Sequence, residues 1–297
     1  MQRQAFEWLR PRPASEEERR LRASAPAPGR EPGPGKEERL TRNAHAYTIA
    51  VGGRGNNGAV EGTAYDAIAR LYDPWSRSVT EDIPFYVEEA RRAEGPVVEL
   101  GVGTGRIAVP IAAAGINVIG VDSSPGMLEV CRERAAAAGV ESRIDLRAGD
   151  LADPPVDGPV PLVICPFRSY LHLQNDRERR RALGAVRRLL PADGRFVFDV
   201  FAPADDDIAE THGRWLEREP GIFERADWDT AARTLTLSVR GEGDETTTMS
   251  LAWLSPLEWR MLLEESGFEI EACFGWFDRT PYSGGEDAIW VARPAER

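Results

Sequence analysis

The chain has 297 residues, 42% of them apolar, and a formal net charge of −12. That length suits one large domain or two ordinary ones with a sizeable core, and the acidic balance argues against a nucleic-acid backbone as partner. No apolar run reaches the ~18 residues of a membrane span and the N-terminus lacks the apolar centre of a signal peptide, so no membrane partner and a cytoplasmic location are expected.

Residues 1–60 hold six prolines, the run GGRGNNG, and 11 Lys/Arg against 7 Asp/Glu. With few large apolar side chains, this segment cannot offset its ordering entropy, and it reads as a disordered stretch or extension. A basic regulatory arm and a dispensable extension are both open readings. The folded domain is expected over 61–297.

From residue 61 the periodicities sharpen. AYDAIARLYD (64–73) and SVTEDIPFYVEEARRA (78–93) read as amphipathic helices, the second with Ser78 or Thr80 as N-cap. PVVEL (96–100) is a buried strand, and TGRIAVPIAAAG (104–115) a helix that Pro110 should kink. NVIGVD (117–122) is a strand, followed by a helix over 125–139 with Pro at its first position and Gly at its end. RIDLRAGD (143–150) and PLVICP (161–166) are strands, DRERRRALGAVRRLL (176–190) a helix whose Arg179, Arg180 and Arg181 form a solvated face, and GRFVFDVF (194–201) a fifth strand. Continuous apolar strands alternating with helices predict a parallel sheet covered on both faces. Period-2 alternation then appears in FERADW (223–228), RTLTLSVR (233–240) and TTTMSLAWL (246–254), which predicts a small antiparallel insert at about 204–254, serving as a lid or the face of a homodimer. A helix over 255–267, with Ser255 and Glu258 as a capping box, and two strands (268–278 and 288–294) close the chain.

The chemistry concentrates in VVELGVGTGRIAVPIAAAGINVIGVDSS, Val97 to Ser124. The spacing Gly101, Gly103, Gly105 is not the dinucleotide fingerprint, because Arg106 stands where the third glycine would allow helix and strand to pack closely. Glu99, just before the turn, suits a ligand with an amine and a positive centre better than a pyrophosphate. Asp122, ending the second strand, is placed to accept from ribose hydroxyls, and Asp150, ending the third, from an adenine amino group. An NAD-dependent oxidoreductase is the first alternative. Arg106 weighs against it, as does the absence of a Tyr-x-x-x-Lys, since Lys36 is the only lysine.

With ELGVGTG (99–105), VDSSPGML (121–128), AGDL (148–151), ICPFRSYLHL (164–173) and LLPADGRFVFDV (189–200) in this order, the chain resembles the class I S-adenosylmethionine-dependent methyltransferases over roughly 64–294. The resemblance implies a Rossmann-like sheet of seven strands, mostly parallel with the last antiparallel. It implies S-adenosyl-L-methionine as cofactor, S-adenosyl-L-homocysteine as product, and a small-molecule acceptor. It places Glu99 and Gly101, Gly103 and Gly105 at the methionine portion, Asp122 with Ser123 at the ribose, Met127 on the adenine face, and Gly149, Asp150 and Leu151 at the adenine amino group. Cys165 and Phe167 would flank the sulfonium. Tyr65 and Tyr72 would cover the cofactor, one of them or Arg106 reaching the methionine carboxylate. Pro161 stands where relatives often have an Asp, and no Asp/Asn-Pro-Pro-Tyr motif follows, which argues against the DNA-adenine type.

Methyl transfer from a sulfonium needs alignment and a dry site, plus a base within hydrogen-bond reach when the acceptor carries a proton to be lost. His172 and Asp199 are the candidate bases, each with a packing role as the alternative, and Tyr170 and Tyr282 are candidates to orient an acceptor. Cys165 reads equally as a small buried hydrophobe, and Trp253, Trp259, Trp276, Phe277 and Trp290 as core. The scattered cysteines (Cys131, Cys165, Cys273) suggest reduced thiols, and no His/Cys spacing suggests a metal. A non-catalytic cofactor-binding protein of the same fold is the second alternative.

Overall fold

The computed structural model describes residues 63–296 except 242 and 244, so the segment 1–60 lies outside the described residues. The helices are α1 (Ala64–Trp75), α2 (Asp82–Arg92), α3 (Ala108–Ala113), α4 (Pro125–Ala137), α5 (Asp176–Leu189), α6 (Asp205–Thr211) and α7 (Pro256–Glu265). The strands are β1 (Val97–Leu100), β2 (Val118–Asp122), β3 (Ile144–Ala148), β4 (Leu162–Cys165), β5 (Arg195–Phe201), β6 (Trp215–Glu219), β7 (Ile222–Asp229), β8 (Thr234–Arg240), β9 (Thr247–Ala252), β10 (Phe268–Phe274) and β11 (Asp287–Pro294).

Seven strands form one sheet in the order β10-β11-β5-β4-β1-β2-β3. Neighbours from β5 to β3 pair in parallel, while β11 runs antiparallel to both β5 and β10. The parallel strands are apolar on both faces because each face has its own core. On one side Phe196 and Phe198 of β5 meet Leu183 and Val186 of α5 and Trp259 and Leu263 of α7. On the other, Val197 joins Phe85 and Tyr86 of α2, Ile111 of α3 and Leu128 of α4. Residues adjacent in β5 thus enter opposite cores, as the two-residue strand period requires. The insert is the antiparallel sheet β6-β7-β8-β9, whose inward residues Trp228, Leu235 and Leu237 continue the first core.

Several local expectations need correction. Pro110 does not kink a helix, because α3 begins only at Ala108 and Pro110 falls in its first turn, where no intrahelical donor is lost. Neither Ser78 nor Thr80 caps α2. Its N-cap is Glu81, whose carboxylate accepts from the Thr80 amide at 2.9 Å. Arg179 is not on a solvated face: it is 4% exposed, bonded to Asp176 and the Ala252 carbonyl, with its guanidinium 5.9 Å from the Trp259 ring centre. Its long stem lets a charged residue pack in an apolar interface while its head finds oxygen partners. Two elements escaped the periodicity: α6, with Asp205, Asp206 and Asp207 in its first turn, and the edge strand β6. Acids crowded after Pro203 mark a helix N-terminus through the macrodipole, a signal that was available.

Candidate active site

The glycine turn leaves β1 at the carboxyl ends of the parallel strands. Gly101, Gly103 and Gly105 all have positive φ, at 70°, 53° and 79°. Side chains rarely adopt that conformation, which is why three glycines alternate here. Their surroundings differ. A Cβ on Gly101 would sit 2.7 Å from Ser169 Oγ, and one on Gly105 would sit 2.5 Å from Cys131 Sγ. A Cβ on Gly103 would meet nothing within 4 Å. Gly105 therefore lets the turn pack on α4, while Gly103 leaves the backbone open to a ligand.

Asp122 is locked in place by the turn it serves. Its two carboxylate oxygens accept from the Gly103 and Ser124 amides, each at 2.8 Å. Burial raises its pKa, against the pull of those two amides. Glu99 is 2% exposed, and its Oε2 has no hydrogen-bond partner. Burial pushes its carboxyl well up, with Arg106 pulling the other way. An orphaned, buried carboxylate oxygen beside an open glycine turn is an unmet demand for a cationic donor. Tyr72, Glu99, Gly101, Gly103, Arg106 and Phe167 line one cavity, together with Thr104, Pro166 and Ser169. Arg106 packs over the Phe167 ring at 4.6 Å and is paired with Asp82, one contact being 2.7 Å. Burial alone would lower the Arg106 pKa, but the Asp82 bonds outweigh it and the net shift is upward.

Helix α1 is tied across the β1 and β2 turns. Asp66 accepts from the Ser124 hydroxyl and the Gly126 amide, each at 2.7 Å, and Asp73 accepts from Thr104 of the glycine turn and from Arg134 of α4. That places Tyr65 and Tyr72 over the site. The Tyr65 hydroxyl lies 2.8 Å from His172 Nε2. Burial pushes the His172 imidazole down to about 4, against a bond to the Ser250 backbone, so it is neutral at pH 7.

Asp199 sits beneath this arrangement. It is 4% exposed and accepts from the Tyr86 hydroxyl and from the Phe167 and Arg168 amides at 2.9 and 3.1 Å. Phe167 and Arg168 both have positive φ, 54° and 65°, so Asp199 holds a strained turn at the end of β4. Burial raises its carboxyl to about 6, partly offset by the Tyr86 bond.

The other candidate residues do not line this cavity. Cys165 is fully buried in the core, and Met127 is 1% exposed. Gly149 is there for packing, since a Cβ would lie 2.4 Å from Pro155. Asp150 is exposed and accepts from the Ala152 amide at 2.8 Å, Ser123 is exposed beside Asp122, and Leu151 packs against the core. Tyr170 is no acceptor-orienting residue: it is buried between Phe196, Phe198 and Trp259. The Tyr282 hydroxyl donates to the Gly285 carbonyl at 3.0 Å. Sequence reasoning missed Thr104, Pro166 and Ser169. Thr104 lay inside the glycine motif itself.

A methyltransferase-domain family model matches residues 97–194, from β1 into the loop before β5. The CcbJ methyltransferase of Streptomyces caelestis superimposes with a TM-score of 0.71 at 28% identity, covering 79% of this chain and 99% of that one. Over residues 97–194 the chain carries a methyltransferase domain, and its fold is that of the class I S-adenosylmethionine-dependent methyltransferases. A ubiquinone/menaquinone biosynthesis C-methyltransferase of Geotalea uraniireducens is 32% identical over 148 residues, which span 46% of this chain and 61% of that protein. The cypemycin N-terminal methyltransferase of a Streptomyces species is 24% identical over 228 residues, 74% of this chain and 89% of that one. S-adenosylmethionine is the cofactor of this methyltransferase family, and the orphaned Glu99 oxygen and the open Gly103 backbone fit its ammonium-bearing methionine end.

Among the described residues no helix of this methyltransferase is long and apolar enough to cross a membrane.

Proposed function

We propose that the protein transfers the methyl group of S-adenosylmethionine to a nitrogen or oxygen of a small-molecule acceptor. The single observation that carries the reading is the buried, unpartnered Glu99 oxygen beside the open turn at Gly103, with Asp122 held by that same turn. When bound, the cofactor supplies an already activated methyl group, so the protein's work is alignment and exclusion of water. Glu99 and the Gly101–Gly105 backbone hold the methionine portion, and Asp122 and Ser123 the ribose. Asp150 and Leu151 meet the adenine. Tyr65 and Tyr72 cover the site from α1.

His172 is the candidate base for the acceptor's proton, acting through the Tyr65 hydroxyl that it bonds. Its ring is neutral at pH 7 and bonded to the Tyr65 hydroxyl, so it accepts and orients without carrying charge. Asp199 is a positioning residue: all its bonds are spent on Tyr86 and on the turn that carries Phe167. The acidic balance of the chain supports a small acceptor over a nucleic acid. The name of the cypemycin N-terminal methyltransferase is in keeping with a nitrogen acceptor.

The test is calorimetric titration of S-adenosylmethionine and S-adenosylhomocysteine into the wild type and Asp122→Ala. Micromolar binding that is lost in the variant supports the reading. No heat with either ligand, while NADH binds, contradicts it.

A further inference from the structure

The segment after β4 meets the insert at one polar junction. His172 ends the short 3-10 turn Ser169–His172, and Gln174 follows two residues on, both half-buried. They lie against β9, the edge strand of the insert sheet. The Gln174 side-chain amide donates to the His172 carbonyl and to the Ser250 carbonyl of β9, each at 3.0 Å. Its Oε1 lies 3.2 Å from the Ser250 hydroxyl. Only one orientation of that amide works, because two carbonyls can only accept and so must meet its NH2 end. Gln174 therefore ties the backbone of His172 to the backbone of Ser250.

The His172 ring bonds the same Ser250 backbone. Its Nε2 lies 2.8 Å from the Tyr65 hydroxyl, which leaves Nδ1 for Ser250. A neutral imidazole has one N–H and one lone pair, and the partner of each nitrogen decides which is which. The Ser250 bond favours the charged ring, as an accepting carbonyl does. Nδ1 thus carries the hydrogen, and Nε2 offers its lone pair to the Tyr65 hydroxyl. In the opposite tautomer the Nδ1 lone pair would face the carbonyl oxygen while Gln174 held the two together. Tyr65 donates to His172 and keeps its oxygen lone pairs for the site, where its ring is 6.1 Å from that of the cavity-lining Tyr72. Tyr72 and Asp122 both act on Tyr65 electrostatically.

We propose that Gln174 is a positioning residue of the methyl-transfer site: through the Ser250 carbonyl it holds His172 in the Nδ1–H tautomer, so that Tyr65 meets the methyl acceptor with oxygen lone pairs rather than a hydrogen. The chemistry of this inference rests on the methyl-transfer reading above. When the acceptor must lose a proton, its bond to that proton breaks and an O–H bond forms at Tyr65, while the proton Tyr65 already held passes to His172 Nε2. The imidazolium so formed keeps its Nδ1–H on Ser250. The insert thereby contributes a backbone oxygen to the proton path.

The experiment records long-range proton–nitrogen spectra of the full-length protein labelled with nitrogen-15 histidine. The chain has three histidines, His45, His172 and His212, and His172→Gln identifies the signals of His172. His212 accepts at Nδ1 from the Trp228 amide at 3.0 Å and is the reference for the opposite tautomer. The expected result at pH 7 is a protonated Nδ1 and a bare Nε2 at His172, the reverse of His212. Gln174→Met, which keeps the length and loses the donors, should move the His172 Nδ1 and Nε2 shifts toward one another. A protonated Nε2 at His172 in the wild type, or unchanged His172 shifts in Gln174→Met, would overturn the assignment. Should that variant not fold, Gln174→Asn, whose shorter amide cannot reach both carbonyls, is read the same way. Calorimetry with S-adenosylhomocysteine is read separately. No binding, with the Nδ1–H tautomer in place, would bring down the methyl-transfer reading and the positioning role with it, and would leave the tautomer standing.

Discussion

The two ends of the site are built by different means. At β1–β3 the ligand-facing surface is backbone: three left-handed glycines and an Asp122 fixed by amides from the same two turns. At β4 and β5 it is side chain: Phe167, packed under Arg106 and carried on a turn that Asp199 of β5 holds. The first kind of surface accepts an invariant ligand and is written in a short motif. The second can change its ligand by single substitutions while the fold stays, so fold alone does not state an acceptor.

The largest expected effect separates two roles within the glycine turn. Gly105→Ala drives a Cβ into Cys131 in a left-handed conformation, and should cost about 3 kcal/mol or more of stability in a denaturant titration. Gly103→Ala meets open space, so it should cost only about 1–2 kcal/mol of backbone strain while sharply weakening S-adenosylhomocysteine binding. If both variants lost stability equally, the division between packing glycine and ligand glycine would be wrong.

Asp199→Ala comes next. It removes the acceptor of three hydrogen bonds and frees the strained Phe167–Arg168 turn, a loss of about 2–4 kcal/mol. Turnover should fall far more than cofactor affinity, because the disturbance lies on the acceptor side. Equal loss of both would erase the contrast between the two ends.

The pH dependence of stability sharpens the same contrast. The folded His172 pKa, about 4, is below its ordinary value of 6.5. Its contribution is therefore fully present above pH 6.5 and is lost as pH falls through about 4. Glu224 runs the other way: raised from 4.5 to about 7 chiefly by burial, it contributes most below pH 4.5 and loses this as pH rises through 7. Thermal melts of His172→Gln should be flatter between pH 6.5 and 4, and those of Glu224→Gln flatter between pH 4.5 and 7. Variants that track the wild type in both windows would remove this support.

The smallest effect is expected at the outer edge of α1, where Arg70 and Glu133 pair with side chains 72% and 49% exposed. Arg70→Ala should change stability by less than about 1 kcal/mol.

The contrast also explains what the sequence could tell. β1, β2, β4 and β5 were legible because strands buried on both faces are continuous apolar runs, and the glycine turn because its geometry demands Gly at alternate positions. Glu99 and Asp122 were legible beside that motif, and Phe167 through the resemblance at the end of β4. The role of Asp199 was not, because its partners Tyr86, Phe167 and Arg168 meet it only in three dimensions. Tyr170 was misread for the same reason: its ring turns into the Phe196–Phe198–Trp259 core. One signal was present but unread. Glu224 falls in the buried phase of an alternating strand, where an acid must have a partner or a purpose. β6 was too short and too polar to show a period.

The most direct test of this account is amide hydrogen exchange on the full-length protein with and without S-adenosylhomocysteine. The account predicts new protection at residues 101–105 and 122–127, and little change across the insert strands β6 to β9. Protection confined to the insert, or none at the glycine turn, would contradict it.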